Sequence, residues 1–273
     1  MTPPQAIYMS AFELTQEQAN IISADLGHHV TTAVAGSGKT TTLAYRIKHL
    51  LNTNIDSKRL LVLMFNRAAQ QDFSRKLNQI LPSDQRRPEV RTFHAMGYRL
   101  YQRFIQEGFL PSFKRNILSD KETQYHVWRM ANRIVEPSAL TELKRNKKEH
   151  IELAMQFFDT VKAQLSSPDI VFEALALEPK FRYFLVLFDE FELWRKQQSR
   201  ISYADMLYDT VHAILANPKL EALVSNKMDV VLVDEYQDTN DIQHTLLKLI
   251  AGQRAKITIV GDPDQTIYEF RGA

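Results

Sequence analysis

Ala33-Val34-Ala35-Gly36-Ser37-Gly38-Lys39-Thr40 is the stretch on which the fold turns. The residues before it, His29 to Val34, read as a strand, and Gly38 to Leu51 has helical spacing. Gly36 and Gly38 let the backbone curl until successive N–H groups face one anion, and the positive end of the following helix adds to the attraction. Lys39 brings a full charge suited to β- and γ-phosphates, and the Thr40 hydroxyl suits a Mg²⁺ ion. The phosphate-loop pattern G-x-x-x-x-G-K-[ST] is met except at its first position, where Ala33 replaces Gly. A chance Gly-Ser-Gly turn is the bland alternative; strand, loop, Lys-Thr and helix all in register disfavour it. Ala33 to Thr40 are therefore taken as nucleotide-binding, with Lys39 expected to stand exposed until phosphate arrives.

Outward from this loop the chain alternates strands and helices. Arg59–Phe65 predicts a second strand, and Arg67–Ile80 a helix with Ala68, Phe73, Leu77 and Ile80 near one face. Val90–Phe93 predicts a third strand and His94–Gln106 a helix. Residues 111–215 hold hardly a clean strand. Asp229–Val233, Asn240–Ile250 and Lys256–Val260 then predict strand, helix and strand. Such alternation implies an α/β fold with a parallel sheet, interrupted by a mostly helical insertion. The expected division is 1–108 and 201–273 for the sheet domain and 109–200 for the insertion.

A phosphate loop needs a second, metal-positioning acid, expected on a neighbouring strand. Val230-Val231-Leu232-Val233-Asp234-Glu235 supplies it: an apolar strand ending in two carboxylates, the Walker B pattern. Asp234 would hold the Mg²⁺ shell and Glu235 would polarise an attacking water. Alone, a strand ending in Asp-Glu is commonplace; paired with the loop it carries weight.

Composition removes whole classes. With no Cys among 273 residues, a disulfide scaffold, a Cys-ligated metal centre and a thiol nucleophile are all excluded. The longest apolar run, Phe181–Phe191, is broken by Arg182, Asp189 and Glu190, so no membrane span is predicted. The first residues show neither a basic nor an apolar signal region, and a soluble cytoplasmic protein is the expectation. Residues 111–150 hold nine Lys/Arg against five Asp/Glu, whereas 225–273 hold five against eight. One region suits a polyanion and the other a divalent cation, although charge runs are commonly solvated faces.

Two further clusters go beyond a generic nucleotide-binding domain. Asp234-Glu235-Tyr236-Gln237-Asp238-Thr239-Asn240, and Gly261-Asp262-Pro263-Asp264-Gln265-Thr266-Ile267-Tyr268-Glu269-Phe270-Arg271-Gly272-Ala273, closely resemble motifs II and III of superfamily 1 helicases of the UvrD/Rep-like branch. Leu14–Gln18 resembles the family's Q motif, Phe65–Ala69 motif Ia and Thr92–Ala95 motif Ib, in the family's order. The resemblance implies a RecA-like domain that binds ATP with Mg²⁺. It also implies a 3′-to-5′ DNA helicase acting on single strands and on single-/double-strand junctions. It further implies that Gln18 reads adenine, that Gln265 senses the γ-phosphate, and that Phe65, Asn66, Thr92, His94, Tyr268 and Phe270 contact DNA. Thr15-x-x-Gln18 is also a capping box, and the two roles are compatible. Tyr268 and Phe270 would stack on bases, which is indifferent to sequence; alternating aromatics at a strand end also serve as core.

Some positions depart from the family. Thr41 stands where many relatives carry Arg, Met64 where many carry an aromatic, and Phe270 replaces the commoner Trp. Asn226-Lys227-Met228-Asp229 spells a guanine-reading motif but precedes an apolar strand instead of following one, so it is read as accidental. Lys144-Arg145-Asn146-Lys147-Lys148 suits phosphates or a solvated helix face. Motifs IV to VI, which supply arginines in the family, do not occur. The chain alone is therefore expected to be a monomer that binds ATP and DNA but hydrolyses ATP poorly. Two other readings stay open: a non-catalytic nucleotide-gated DNA-binding module, and a phosphate-loop kinase for a small molecule.

Overall fold

A computed structural model describes residues 14–34, 37–113 and 117–262. The chain enters through α1 (Gln16–Ser23) and β1 (His29–Thr32), then α2 (Lys39–Asn52), β2 (Leu60–Met64), α3 (Arg67–Ile80), β3 (Glu89–Thr92) and α4 (Phe93–Gln106). A helical series follows: α5 (Asp120–Ile134), α6 (Leu140–Arg145), α7 (Lys147–Ala163), α8 (Pro168–Ala174), α9 (Tyr183–Gln197), α10 (Asp205–Ala216) and α11 (Pro218–Val224). The chain then forms β4 (Val230–Val233), α12 (Asp241–Ala251) and β5 (Lys256–Gly261).

All five strands run parallel in the order β1-β5-β4-β2-β3. Every residue of β2 and β4 is buried, as expected when helices cover both faces of a parallel sheet. Side-chain alternation sorts those residues between two cores. Leu61, Leu63, Val231 and Val233 pack with apolar residues of α4, α10, α11 and α12. Leu60, Val62, Met64, Val230 and Leu232 point the other way, against Leu43 and Ile47 of α2 and Phe73 and Leu77 of α3. Each such side chain contributes about 1.5–3 kcal/mol through burial. Of the apolar face expected on α3, Phe73 and Leu77 are buried, whereas Ala68 is exposed.

The helices between Leu118 and Phe191 have a separate core rich in aromatic rings, with Phe157, Phe184 and Phe191 wholly buried. This helical lobe joins the sheet domain through charge as well as apolar contact. Lys162 of α7 and Arg195 of α9 are buried, and they pair with Glu192 of α9 and with Asp205 and Asp209 of α10. Helix α10 itself lies on α4, where the Thr210 hydroxyl donates to the Gly97 carbonyl at 3.1 Å. Among the described residues, no helix is long and apolar enough to cross a membrane.

Candidate functional site

In a parallel sheet each strand delivers the following helix with its N-terminus at the carboxyl edge, and ligands bind there. Here β1 leads to α2, β2 to α3, β3 to α4 and β4 to α12 at that edge.

Gly38 occupies the N-cap of α2 with φ 82°, a left-handed conformation that a side chain would strain. It makes no side-chain cap bond, so the first-turn N–H groups keep their directional preference for an anion. Lys39, the first residue of the helix, is buried at 9% exposure, against the expectation of an exposed lysine. The reason is an ion pair: its Nζ lies 3.1 Å from Oε2 of Glu235. Thr40, next to it, is half-buried, and Thr41 is buried. Ala35 and Gly36 lie outside the described residues. The N–H of Ala33 donates to the Gly261 carbonyl at 3.0 Å, so the loop hangs from the end of β5.

That pairing corrects the expectation of an acid on the neighbouring strand. Strand β5 runs between β1 and β4, so Asp234 and Glu235 stand one strand further away. Glu235 still meets Lys39, because the Lys39 side chain spans the gap. Asp234 is 5% exposed, and burial pushes its carboxyl up to about 6, with adjacent Glu235 adding to the rise. The Glu235 N–H, which donates to Asp234 Oδ1 at 3.1 Å, and the charge of Lys39 pull the other way. Glu235 has φ 50° and ψ 48°, a left-handed backbone that costs about 1–3 kcal/mol outside glycine. Two adjacent carboxylates, one buried and one half-buried and paired with a lysine, beside a helix N-terminus, fit a Mg²⁺–triphosphate. Asp234 and Thr40 would hold the metal, and Lys39 with the first-turn N–H groups the phosphates.

Gln18 forms the expected capping box: its N–H donates to Thr15 Oγ1 at 3.2 Å and its Oε1 accepts from the Thr15 N–H at 3.0 Å. Its Nε2 also donates to the Ser37 carbonyl at 2.8 Å, so the amide braces the phosphate loop. Sequence reading missed the part played by Arg46. This buried residue of α2 donates to the carbonyls of Ile22, Ala24 and Asp25, holding the end of α1 against α2. An arginine in an otherwise apolar helix stripe was the available signal.

A cleft of about 860 Å³ opens between this edge and the helical lobe, lined by Phe65, Asn66 and His94 on one side and by Gln156 and Asp159 on the other. Asn66 caps α3, its Oδ1 accepting from the Ala69 N–H at 2.9 Å. Thr92 caps α4, its hydroxyl accepting from the Ala95 N–H at 3.1 Å, and is buried. His94 stacks on Tyr203 with ring centroids 4.2 Å apart and planes at 14°. Tyr203, 58% exposed on the cleft, carried no signal in the sequence because the partner that orients it lies over a hundred residues away. Gln243 also lines the cleft; it is 3% exposed, and its Oε1 has no hydrogen-bond partner among the described residues. Gln265, Tyr268 and Phe270 lie outside the described residues.

The two remaining sequence motifs have local explanations. Asn226 takes a left-handed turn, and its side chain accepts from the N–H groups of Gln253 and Arg254. Asp229 pairs with Arg59 and Arg254 at the opposite end of β4 from Asp234. Within Lys144–Lys148, the Nζ of Lys147 lies 4.9 Å from the Trp128 ring centroid and Lys148 faces Glu152 at 3.8 Å.

Fold and site together define a RecA-like α/β domain of the phosphate-loop type, with a helical lobe facing its carboxyl edge. The chain belongs to the UvrD/REP helicase N-terminal domain family, whose model matches residues 14–273. It is 28% identical to a probable DNA helicase II homolog of Mycoplasma pneumoniae, over 96% of this chain and 36% of that protein. It is 29% identical to the ATP-dependent DNA helicase Rep of Buchnera aphidicola, over 94% and 37%. With the DNA helicase II of Escherichia coli it shares 26% identity, over 95% and 35%. The chain thus spans little more than a third of these relatives.

Proposed function

We propose that this chain is the ATP- and DNA-binding portion of an ATP-dependent DNA helicase that translocates 3′ to 5′ along single strands from a junction. The convergence of Lys39, Asp234 and Glu235 at the N-terminus of α2 carries the reading. The sheet domain comprises residues 1–108 and 201–273, and the helical lobe residues 109–200. Lys39 and the α2 N–H groups bind the phosphates, Asp234 and Thr40 hold Mg²⁺, and Gln18 lies beside the loop to meet adenine. A bound Mg²⁺ supplies charge neutralisation on the phosphate oxygens. Glu235, once Lys39 turns to phosphate, has its second carboxylate oxygen to polarise an attacking water and take its proton, while Oε2 accepts from Gln237 Nε2 at 2.7 Å. Gln265 is assigned to the γ-phosphate.

DNA lies in the cleft. Phe65 and Tyr203 offer faces for stacking, which tolerates any base, and His94 contacts the DNA backbone. Asn66 and Thr92 sit at helix N-termini whose partial positive charge suits phosphates, contacts that position the strand without reading its sequence. Tyr268 and Phe270 extend the stacking track. The chain alone is a monomer that binds both ligands and turns ATP over slowly.

Titration of this chain with a fluorescent ATP analogue and Mg²⁺ tests the nucleotide half. Lys39→Ala should lose binding while keeping its fold, and Glu235→Gln should retain binding within about threefold, a shift of well under 1 kcal/mol. Unchanged affinity in a folded Lys39→Ala protein would remove the loop from the site.

A further inference from the structure

We propose that Arg46 is a positioning residue for base selectivity: its clamp on the end of α1 holds Gln18 where it accepts adenine and rejects guanine. The inference rests on the nucleotide-binding reading above, and concerns which base is taken rather than where the phosphates sit.

Helix α1 has little else to hold it. It has eight residues, and none of them is buried. Helices this short are marginal in water on their own, so the placement of α1 depends on its tethers. At its C-terminal end, Arg46 Nη1 donates to the Ile22 carbonyl at 3.0 Å and to the Ala24 carbonyl, and Nη2 donates to the Asp25 carbonyl at 3.0 Å. The His29 ring donates to the same Asp25 oxygen at 2.8 Å. Carbonyls at a helix end lack partners within the helix, and the partial negative charge there favours a cation. Arg46 is 2% exposed, so its planar fork of donors is committed to these oxygens. The compact ammonium of a lysine does not reproduce that spread.

The other end of α1 fixes the Gln18 amide. The Thr15 N–H can only donate, so Oε1 turns toward it; the Ser37 carbonyl can only accept, so Nε2 turns toward the loop. The amide is thereby locked against a flip. Each end keeps one further capacity, a lone pair on Oε1 and a proton on Nε2. Adenine offers the matching pair, an N7 acceptor beside an N6 donor. Guanine offers two acceptors, N7 and O6, and sets O6 against Oε1. Gly38 makes room for the reader: a Cβ there would lie 2.9 Å from Gln18 Nε2. Arg46 sits about two turns beyond Lys39 on α2. One helix thus carries the phosphate-binding lysine and the clamp that registers the base reader against it.

Calorimetric titration of this chain with Mg-ATP, Mg-GTP and inorganic tripolyphosphate is the test, with Arg46→Met and Arg46→Lys beside the parent. The parent should prefer ATP over GTP by about tenfold or more, the equivalent of one hydrogen bond. Both variants should bring that ratio to within about threefold, while tripolyphosphate affinity stays within about threefold of the parent. A merely structural loss would weaken all three ligands together, and that result overturns the proposal. A folded variant that keeps the parent's preference overturns it as well. Arg46→Lys keeps the charge and most of the bulk, which covers an Arg46→Met protein that fails to fold. Hydrogen exchange needs no variant: α1 amides of the parent that exchange as freely as those of an unfolded peptide overturn the clamp. A parent that binds tripolyphosphate but takes ATP and GTP alike overturns the base selectivity and leaves the phosphate site standing. A parent that binds none of the three overturns the nucleotide reading, and the role of Arg46 with it.

Discussion

Nζ of Lys162 on α7 lies 2.7 Å from Oδ1 of Asp205 on α10, with both side chains shut off from solvent. One belongs to the helical lobe and the other to a helix packed on the sheet domain, so the cleft between them is set partly by a buried ion pair. Burial alone would raise the Asp205 carboxyl, but Lys162 and Arg195 outweigh it and hold the group at about 2. A carboxyl lowered in the fold contributes stability above its ordinary value near 3.8 that is lost as pH falls toward about 2.

Lys162→Met should therefore destabilise the protein by about 3–5 kcal/mol, because three carboxylates then share Arg195 as their one buried cation among the described residues. Lys162→Met with Asp205→Asn should recover much of that loss, since removing both partners leaves less uncompensated charge. Urea denaturation of the parent, single and double variants measures both. A single variant within 1 kcal/mol of the parent would mean the pair does not anchor the lobe.

Asp234→Asn should stabilise the ligand-free protein above pH 6 while removing Mg²⁺-dependent nucleotide binding. The folded carboxyl titrates near 6 against an ordinary 3.8. A carboxyl raised in the fold favours folding below its ordinary value, and that contribution is lost as pH rises through about 6. The variant never ionises, so its gain should reach about 1–3 kcal/mol at pH 8 and shrink toward zero at pH 4. Thermal melts at the two pH values test the sign; a gain that is larger at pH 4 contradicts it.

Gly97→Ala should cost about 1–3 kcal/mol, the usual range for overpacking. An added Cβ on α4 would lie 2.8 Å from the Met206 carbonyl oxygen of α10 and 2.9 Å from Leu207. Chemical denaturation measures the loss, and a neutral result would show that the two helices separate easily.

Tyr203→Ala and Phe65→Ala should each weaken single-stranded DNA binding by about 1–3 kcal/mol, the value of one stacked base. Binding should also fall as salt rises, because neutralised phosphates release counterions. Anisotropy with mixed-sequence oligonucleotides at low ionic strength reads both effects. Folded variants that bind like the parent would move the DNA out of this cleft.

Much of this domain is legible in the order of residues. Strands at 60–64, 230–233 and 256–261 and helices at 39–52, 67–80 and 241–251 come from local periodicity, which neighbours a few positions apart enforce. The phosphate loop and the acid pair are legible for a similar reason: a glycine turn before a helix, or an apolar run ending in carboxylates, is complete within eight residues. The capping box at Thr15 is likewise short-range.

Tertiary structure alone decided how those pieces combine. Strand order depends on which edges pair, and nothing between residues 29 and 261 states that β5 enters between β1 and β4. Lys39 is buried because Glu235, 196 positions later, meets it; seen alone it is an exposed lysine. The charges at 162, 192, 195, 205 and 209 have the helical spacing of a solvated face, yet three helices enclose them. Tyr203 becomes a stacking surface only where His94 comes beneath it. Periodicity reports which side of an element is apolar; which polar groups become neighbours is settled by packing between elements far apart in the chain, where burial and charge pairing act together.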